Sequence, residues 1–275
     1  MTDLSLVTGG AGFIGSHLVE RLLAEGGRVR ILDNFSTGAR TNLPFAAKYR
    51  RQLEIVRGDI RNLAVVQRAA RGARVIYHQA AMRSVPRSVK DPLGANENNV
   101  TGTLNVLEAA RRCKVPRVVY ASSSSVYGDR PELPKREDQP PAPLSPYAVS
   151  KAAGEQYASA WTRLYNVETV GLRYFNVFGP RQDPKSQYAA VIARFIQWGL
   201  RGQPLEVHGD GTQSRDFTYI DNVVEANLLA AKAPAAAGEA FNVGCGDRVS
   251  LLDIITRLEA LLGRKLERPH FIARR

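Results

Sequence analysis

The sequence predicts a doubly wound α/β fold: a parallel sheet flanked by helices, with a smaller, discontinuous region drawn from the C-terminal half. Three observations carry this. Short apolar runs alternate with helix-period segments over 1–172, a glycine-rich turn joins the first run to the first helix, and the runs end in small or polar residues. Residues 217–244 are expected to return to the sheet, leaving 173–216 and 245–275 as the smaller region.

Composition narrows the classes. The 275 residues are 44% hydrophobic and 23% charged, ordinary values for a folded chain. No apolar run approaches the roughly 18–20 residues that span a bilayer, so no membrane partner is expected. A first strand beginning at Leu4 leaves no room for a signal peptide, and Cys113 and Cys245 are too few for a disulfide framework. A cytoplasmic location is expected. The net charge of +12 comes from Lys and Arg spread along the chain, without a basic block or a nucleic-acid motif. This pattern favours a small phosphorylated substrate over nucleic acid. His17, His78, His208 and His270 are scattered, so no metal site is expected.

In order, Leu4–Thr8 reads as a central strand running into Gly9-Gly-Ala-Gly12-Phe-Ile-Gly15 and a helix over Ser16–Gly26. Glycines at 9, 12 and 15 permit a tight turn, close approach to a diphosphate and close helix–strand packing, and the helix N-terminus offers free N–H groups to an anion. A second strand, Arg28–Leu32, ends in Asp33, at the spacing of a carboxylate that accepts from an adenosine ribose and repels a 2′-phosphate. NAD, not NADP, is the cofactor this predicts. Asn34–Gly38 is turn-rich. Strand Leu53–Arg57 leads to Gly58-Asp59-Ile60, placed to flank an adenine, and Leu63–Arg71 forms a short helix. Strand Arg74–His78 reaches Gln79-Ala80-Ala81, a helix covers Asn98–Arg112, and strand Arg117–Ala121 ends in Ser122–Ser125.

A loop carrying Pro131, Pro134, Pro140, Pro141, Pro143 and Pro146 delivers the chain to Tyr147-Ala-Val-Ser-Lys151. Residues four apart on a helix share a face, so Tyr147 and Lys151 point the same way. A fixed cation favours a phenolate and is expected to bring the Tyr147 pKa down toward the working range. Ser123, at the carboxyl edge of the sheet, is the second catalytic candidate. A sixth strand over Val167–Leu172 then gives way to short strands and loops rich in aromatic, Asn and Arg residues, with helices at Tyr188–Leu200, Asn222–Lys232 and Leu251–Leu262 and a strand at Phe241–Gly244.

Taken together, Thr8–Gly15, Asp33, Gly58-Asp59, His78–Ala81, Ser122–Gly128, Tyr147–Lys151, Arg173–Pro180 and Gly209–Phe217 resemble the extended short-chain dehydrogenase/reductase family, in its NAD-dependent epimerase/dehydratase group. The pieces span nearly the whole chain in the family's order. The stretch Arg173–Pro184 followed by Tyr188–Ile192 is most similar to UDP-hexose 4-epimerases acting on plain or N-acetylated sugars. Dehydratases carry an Asp-Glu pair where this chain has Ser124 and Ser125, which leaves water elimination without an acid or base. UDP-glucuronate epimerases usually carry Thr at the position of Asn176. A reductase, and a non-catalytic nucleotide-binding relative, are the remaining alternatives.

The resemblance implies a Rossmann sheet with a substrate-binding second region. It also implies a reversible oxidation at C4 in which Tyr147 is the base, Ser123 relays the proton and Lys151 binds the nicotinamide ribose. Cofactor contacts are implied for Gly9, Gly12, Phe13, Ile14, Gly15, Asp33, Asn34, Ser36, Gly38, Asp59, Ile60, Gln79, Ala80, Ala81, Asn99, Ala121, Ser122, Tyr147, Lys151 and Tyr174. Substrate contacts are implied for Ser84, Val85, Ser123, Ser124, Ser125, Tyr147, Asn176, Ala190, Val191, Val207, Arg215 and Arg274, with Asn176, Arg215 and Arg274 on the diphosphate. Family members commonly dimerise through the helix carrying Tyr147 and the one before it. They usually continue for a few dozen residues past the point where this sequence stops, so a truncated C-terminus is expected, without the part that gates N-acetylated against plain hexoses.

Overall fold

The computed structural model describes residues 3–183 and 191–273. Within them the chain divides into two compact units, one running up to Tyr174 and resuming over Asp221–Val243, the other comprising Phe175–Ile220 and the residues from Gly244.

The first unit is built on seven strands: β1 (Leu4–Thr8), β2 (Arg28–Asp33), β3 (Leu53–Arg57), β4 (Ala73–His78), β5 (Arg117–Ser123), β6 (Glu168–Tyr174) and β7 (Ala240–Val243). They lie in the order β7-β6-β5-β4-β1-β2-β3, every pair parallel. Strands covered on both faces should be continuously apolar, and Leu6, Val7, Ile31, Leu32, Ile76, Val118 and Val119 are fully buried. The strand order reverses between β1 and β4, where Thr8 pairs with Leu32 on one side and His78 on the other. Open α/β sheets take their ligands at the carboxyl ends of the strands flanking such a switch point.

Helices α1 (Phe13–Ala24), α2 (Leu63–Ala70), α3 (Gly102–Arg112) and α4 (Pro146–Tyr165) cover the sheet. Val66, Ala69, Val106 and Leu107 from α2 and α3 pack on Leu6, Leu32 and Val118. The expected helix over Asn98–Arg112 forms, but it opens with a π-helical turn at Glu97–Thr101. Strands β5 and β6 run two residues past their expected ends, to Ser123 and Tyr174. On α4, Ser145 caps the first turn by accepting from the Ala148 N–H at 3.2 Å, and Pro146 follows at the first helical position, where no N–H is needed. The helix lies hard against β5: a Cβ at Gly154 would run into the Tyr120 hydroxyl.

The second unit has short ladders only. Val177–Phe178 pairs with Thr218–Tyr219, Ser214–Arg215 with Val249–Ser250, and Glu206–His208 with His270–Ile272. Helices Val191–Leu200 and Leu251–Leu262 close over a core of Phe195, Leu205, Val207, Leu251, Ile254 and Ile255. The expected helix start at Tyr188 lies outside the described residues. The expected Asn222–Lys232 helix begins at Ile220. No helix among the described residues is long and apolar enough to cross a membrane.

Candidate active site

The glycine turn between β1 and α1 is as tight as backbone allows. Gly9 has φ +69°, and a Cβ there would lie 2.7 Å from the Ala80 nitrogen. A Cβ at Gly15 would run into the Gly9 carbonyl oxygen. Helix α1 begins with Gly12 as its N-cap, no side chain caps it, and its first turn holds no acidic residue. Its first N–H groups therefore suit an anion. Phe13 and Gly15 are buried in that first turn and Ile14 is half-buried.

Asp33, at the end of β2, is buried; its carboxylate accepts from the Ala11 N–H at 2.9 Å and the Phe35 N–H at 2.8 Å. Gly38 packs on the turn, where a Cβ would come within 3.0 Å of Ala11 and Asp33. The Asn34 side chain accepts from the Ser36 N–H and donates to Asp59. The Arg61 guanidinium beside Asp59 holds that carboxyl down at about 2. Ile60 is buried against Gly102, and Ala80 donates its N–H to Thr8 at 3.3 Å, with a half-buried Ala81 next in the chain. A glycine-rich turn, bare helix N–H groups that donate and a strand-end carboxylate that accepts are the set that a dinucleotide with an unphosphorylated ribose requires.

At the carboxyl end of β5, the Ser123 hydroxyl accepts from the Ser125 N–H at 3.2 Å and the Ser125 hydroxyl at 3.0 Å, and it is one of the groups that counter the effect of burial on the Tyr147 phenol. Ser124 opens the 3₁₀ turn between them. The Tyr147 N–H donates to Ser88, on a short helix that Ser84 caps and Val85 begins. Lys151 is buried; its ammonium donates to the Ala121 carbonyl at 2.7 Å and lies 5.9 Å from the centre of the Tyr147 ring. Burial lowers the Lys151 pKa to about 7, against the opposing pull of Glu155.

The expected fall in the Tyr147 pKa is not what the protein groups produce. Burial pushes the phenol up, and the opposing influences are the Ser123 hydroxyl and the charge of Arg83.

Four of the residues implied to contact the cofactor have side-chain partners within the protein. The Asn99 amide bonds the Met82 backbone and Ser150, and the Ser122 hydroxyl donates to Glu155 at 2.5 Å. Tyr174 and Gln79 bond each other and Asn227. In the second unit, Asn176 donates to the Asp216 carbonyl at 2.7 Å, Val191 starts a helix and Arg215 is exposed. The Asp216 carboxylate accepts from the Cys245 and Gly246 N–H groups. Val207 is wholly within the core, which leaves only its main chain to meet a ligand. Ala190 and Arg274 lie outside the described residues.

Residues 5–244 match the NAD-dependent epimerase/dehydratase family. The chain belongs to that family. It is an enzyme of the isomerase class, an epimerase, and its cofactor is NAD. It is 42% identical over 269 residues to the UDP-glucose 4-epimerase of Mycolicibacterium smegmatis, covering 97% of this chain and 85% of that one. It superposes with a TM-score of 0.94 and 37% identity on the UDP-N-acetylglucosamine 4-epimerase of Methanobrevibacter ruminantium M1 in complex with UDP-N-acetylmuramic acid, covering 100% of this chain and 87% of that one. The UDP-glucose 4-epimerase of Thermus thermophilus, in complex with NAD, gives a TM-score of 0.85 and 40% identity over 98% of this chain and 85% of that one.

The epimerase also contains a buried histidine that sequence spacing does not single out. His78 ends β4, with Thr8 at 2.7 Å from Nδ1 and Thr103 at 3.0 Å from Nε2. Thr103 gives its own proton to the Asn99 carbonyl, so Nε2 must donate and Nδ1 must accept. Burial first, then the Lys151 charge, lowers the His78 pKa from 6.5 to about 3. Below pH 6.5 the unfolded chain therefore binds a proton that the native state refuses, so stability is lost as pH falls. Between pH 6.5 and 5 that loss is expected to reach roughly 2 kcal/mol, at about 1.4 kcal/mol per pH unit. Urea unfolding at the two pH values measures it, and equal stabilities would show that His78 takes up its proton when folded.

Proposed function

We propose that this epimerase interconverts a UDP-hexose and its C4 epimer, either UDP-glucose with UDP-galactose or the corresponding N-acetylhexosamine pair. The observation that carries this reading is Ser123 at the sheet's carboxyl edge together with Tyr147 and, one helical turn on, a buried Lys151 whose ammonium lies 5.9 Å from the centre of the Tyr147 ring. When bound, NAD supplies the hydride acceptor and a positive ring charge that favours a phenolate. Asp33 is suited to its ribose hydroxyls, the first turn of α1 to its diphosphate and Lys151 to its second ribose.

Tyr147 takes the proton from the sugar 4-hydroxyl as C4 is oxidised. Ser123 hydrogen-bonds the same oxygen and passes the proton on. The 4-keto sugar is then reduced on its other face, and Tyr147 returns the proton, so no net redox change results. In the second unit, Asn176 and Arg215 are assigned to the diphosphate, an anion that a guanidinium meets with two parallel hydrogen bonds. His208 Nε2 and Gln213 Oε1 are buried there without a hydrogen-bond partner among the described residues, which supports a polar ligand in that unit.

A homodimer belongs to the same reading. Leu93 and Leu164 are largely exposed apolar side chains, and sedimentation at twice the 30.2 kDa of the chain checks it. The activity is tested by incubating the protein and NAD with UDP-glucose, UDP-galactose and their N-acetylamino forms and resolving the products. One pair is expected to interconvert without net accumulation of reduced nicotinamide. Failure to interconvert any pair would sink the assignment.

A further inference from the structure

One buried carboxylate takes no part in the chemistry proposed above. Glu155 lies on α4, four residues after Lys151 and eight after Tyr147, so all three project from one face of the helix. One oxygen accepts from the Ser122 hydroxyl at 2.5 Å and Arg173 Nε at 3.0 Å; the other accepts from Arg173 Nη2 at 2.9 Å. Ser122 and Arg173 are register partners across β5 and β6, and the next pair in that ladder is Ser123 with Tyr174. One carboxylate therefore grips the last turns of two adjacent strands. The guanidinium is fixed in turn by the Tyr127 hydroxyl at 2.7 Å and lies 4.9 Å from the centre of the Tyr127 ring.

Two of the three residues that end β5 are tied to α4, just before Ser123. The Ala121 carbonyl accepts from Lys151 and the Ser122 hydroxyl donates to Glu155. The Ser122 tie involves a charged pair that is sealed from solvent, with the side chains of Glu155 and Arg173 both 6% exposed. A charge-assisted hydrogen bond in such surroundings is short and directional, which suits it to setting a distance.

We propose that Glu155 is a positioning residue: through Ser122 it fastens the carboxyl end of β5 to α4 and so fixes the spacing of the Ser123 hydroxyl and the Tyr147 phenol. The proposal rests on the reading of Tyr147 as the base. Its negative charge also favours the Lys151 ammonium one turn away, in opposition to burial.

Ser122→Ala removes the tie and leaves the Glu155–Arg173 pair in place, so the fold is retained. Its kcat per folded molecule is expected to fall roughly tenfold or more, since misplacing a reacting group by about 1 Å costs up to about a hundredfold. The KM for the UDP-sugar is expected to stay unchanged, and Ser122→Thr, which restores the hydroxyl, is expected to regain most of the rate. Wild-type kcat in Ser122→Ala, a rise in KM that accounts for the loss, or a loss that Ser122→Thr does not restore overturns the proposal. Tyr147→Phe assayed alongside separates the two readings. If it is inactive while Ser122→Ala is not, only the fastening role fails; if Tyr147→Phe is fully active, the base assignment fails first.

Discussion

Tyr147→Phe is expected to lower kcat for UDP-hexose epimerisation by about 10²–10⁴-fold, the range that a positioned proton-transfer group contributes. The substitution removes one oxygen and little else. The Tyr147 N–H still donates to Ser88, Ser145 still caps the helix, and the ring still lies beside the Lys151 ammonium. What disappears is the phenol hydroxyl, the proton-transfer group of the proposed mechanism. Because burial already penalises the phenolate, the hydroxyl contributes no ionised group on which folding depends, and the denaturation midpoint is expected to move little. NAD affinity is likewise expected to hold. The measurement is chromatographic product formation per folded molecule at saturating UDP-sugar. Turnover equal to that of the parent chain would remove Tyr147 from the mechanism.

The scaffold of this site was legible from local pattern because each of its parts is local. Five consecutive residues make β1, a glycine turn follows it, and Asp33 ends the neighbouring strand. Tyr147 and Lys151 share a face by helical period alone. The electrostatics were not legible in the same way. Whether a phenol's pKa falls or rises depends on how deeply it and its neighbours are buried, and sequence spacing carries no depth. A lysine one turn away reads as a fixed cation until its own burial brings its pKa to about 7.

Side-chain direction was the second gap. Ser122 stands next to Ser123 in sequence and reads from that position as facing the cofactor. Strand alternation places it instead on the face of Tyr120, which packs against Gly154 of α4. That period-two argument was open from the sequence. Glu155 at the fourth position after Lys151 was a further signal, since a carboxylate on the buried face of a helix requires a partner. No local pattern identifies that partner as Arg173, eighteen residues away on another strand. The His78 chain through Thr8, Thr103 and Asn99 likewise joins residues whose proximity only the sheet order creates.

The Glu155–Arg173 pair leads to the largest stability effect expected here. Arg173→Met keeps the length and apolar stem of the side chain but leaves the Glu155 carboxylate buried with Ser122 as its one remaining donor. Removing one partner of a buried ion pair typically costs about 3–5 kcal/mol, because the other charge stays behind uncompensated. Guanidinium unfolding is expected to show a loss of that order for Arg173→Met. Adding Glu155→Met removes the stranded charge, and apolar replacement of a whole buried pair is often neutral, so the double variant is expected to regain most of the stability. It is not expected to regain the rate, because Ser122 then has no acceptor on α4. A single variant as stable as the parent would mean that the carboxylate takes a proton or reaches water, and that the pair does not clamp the strand ends as the distances indicate.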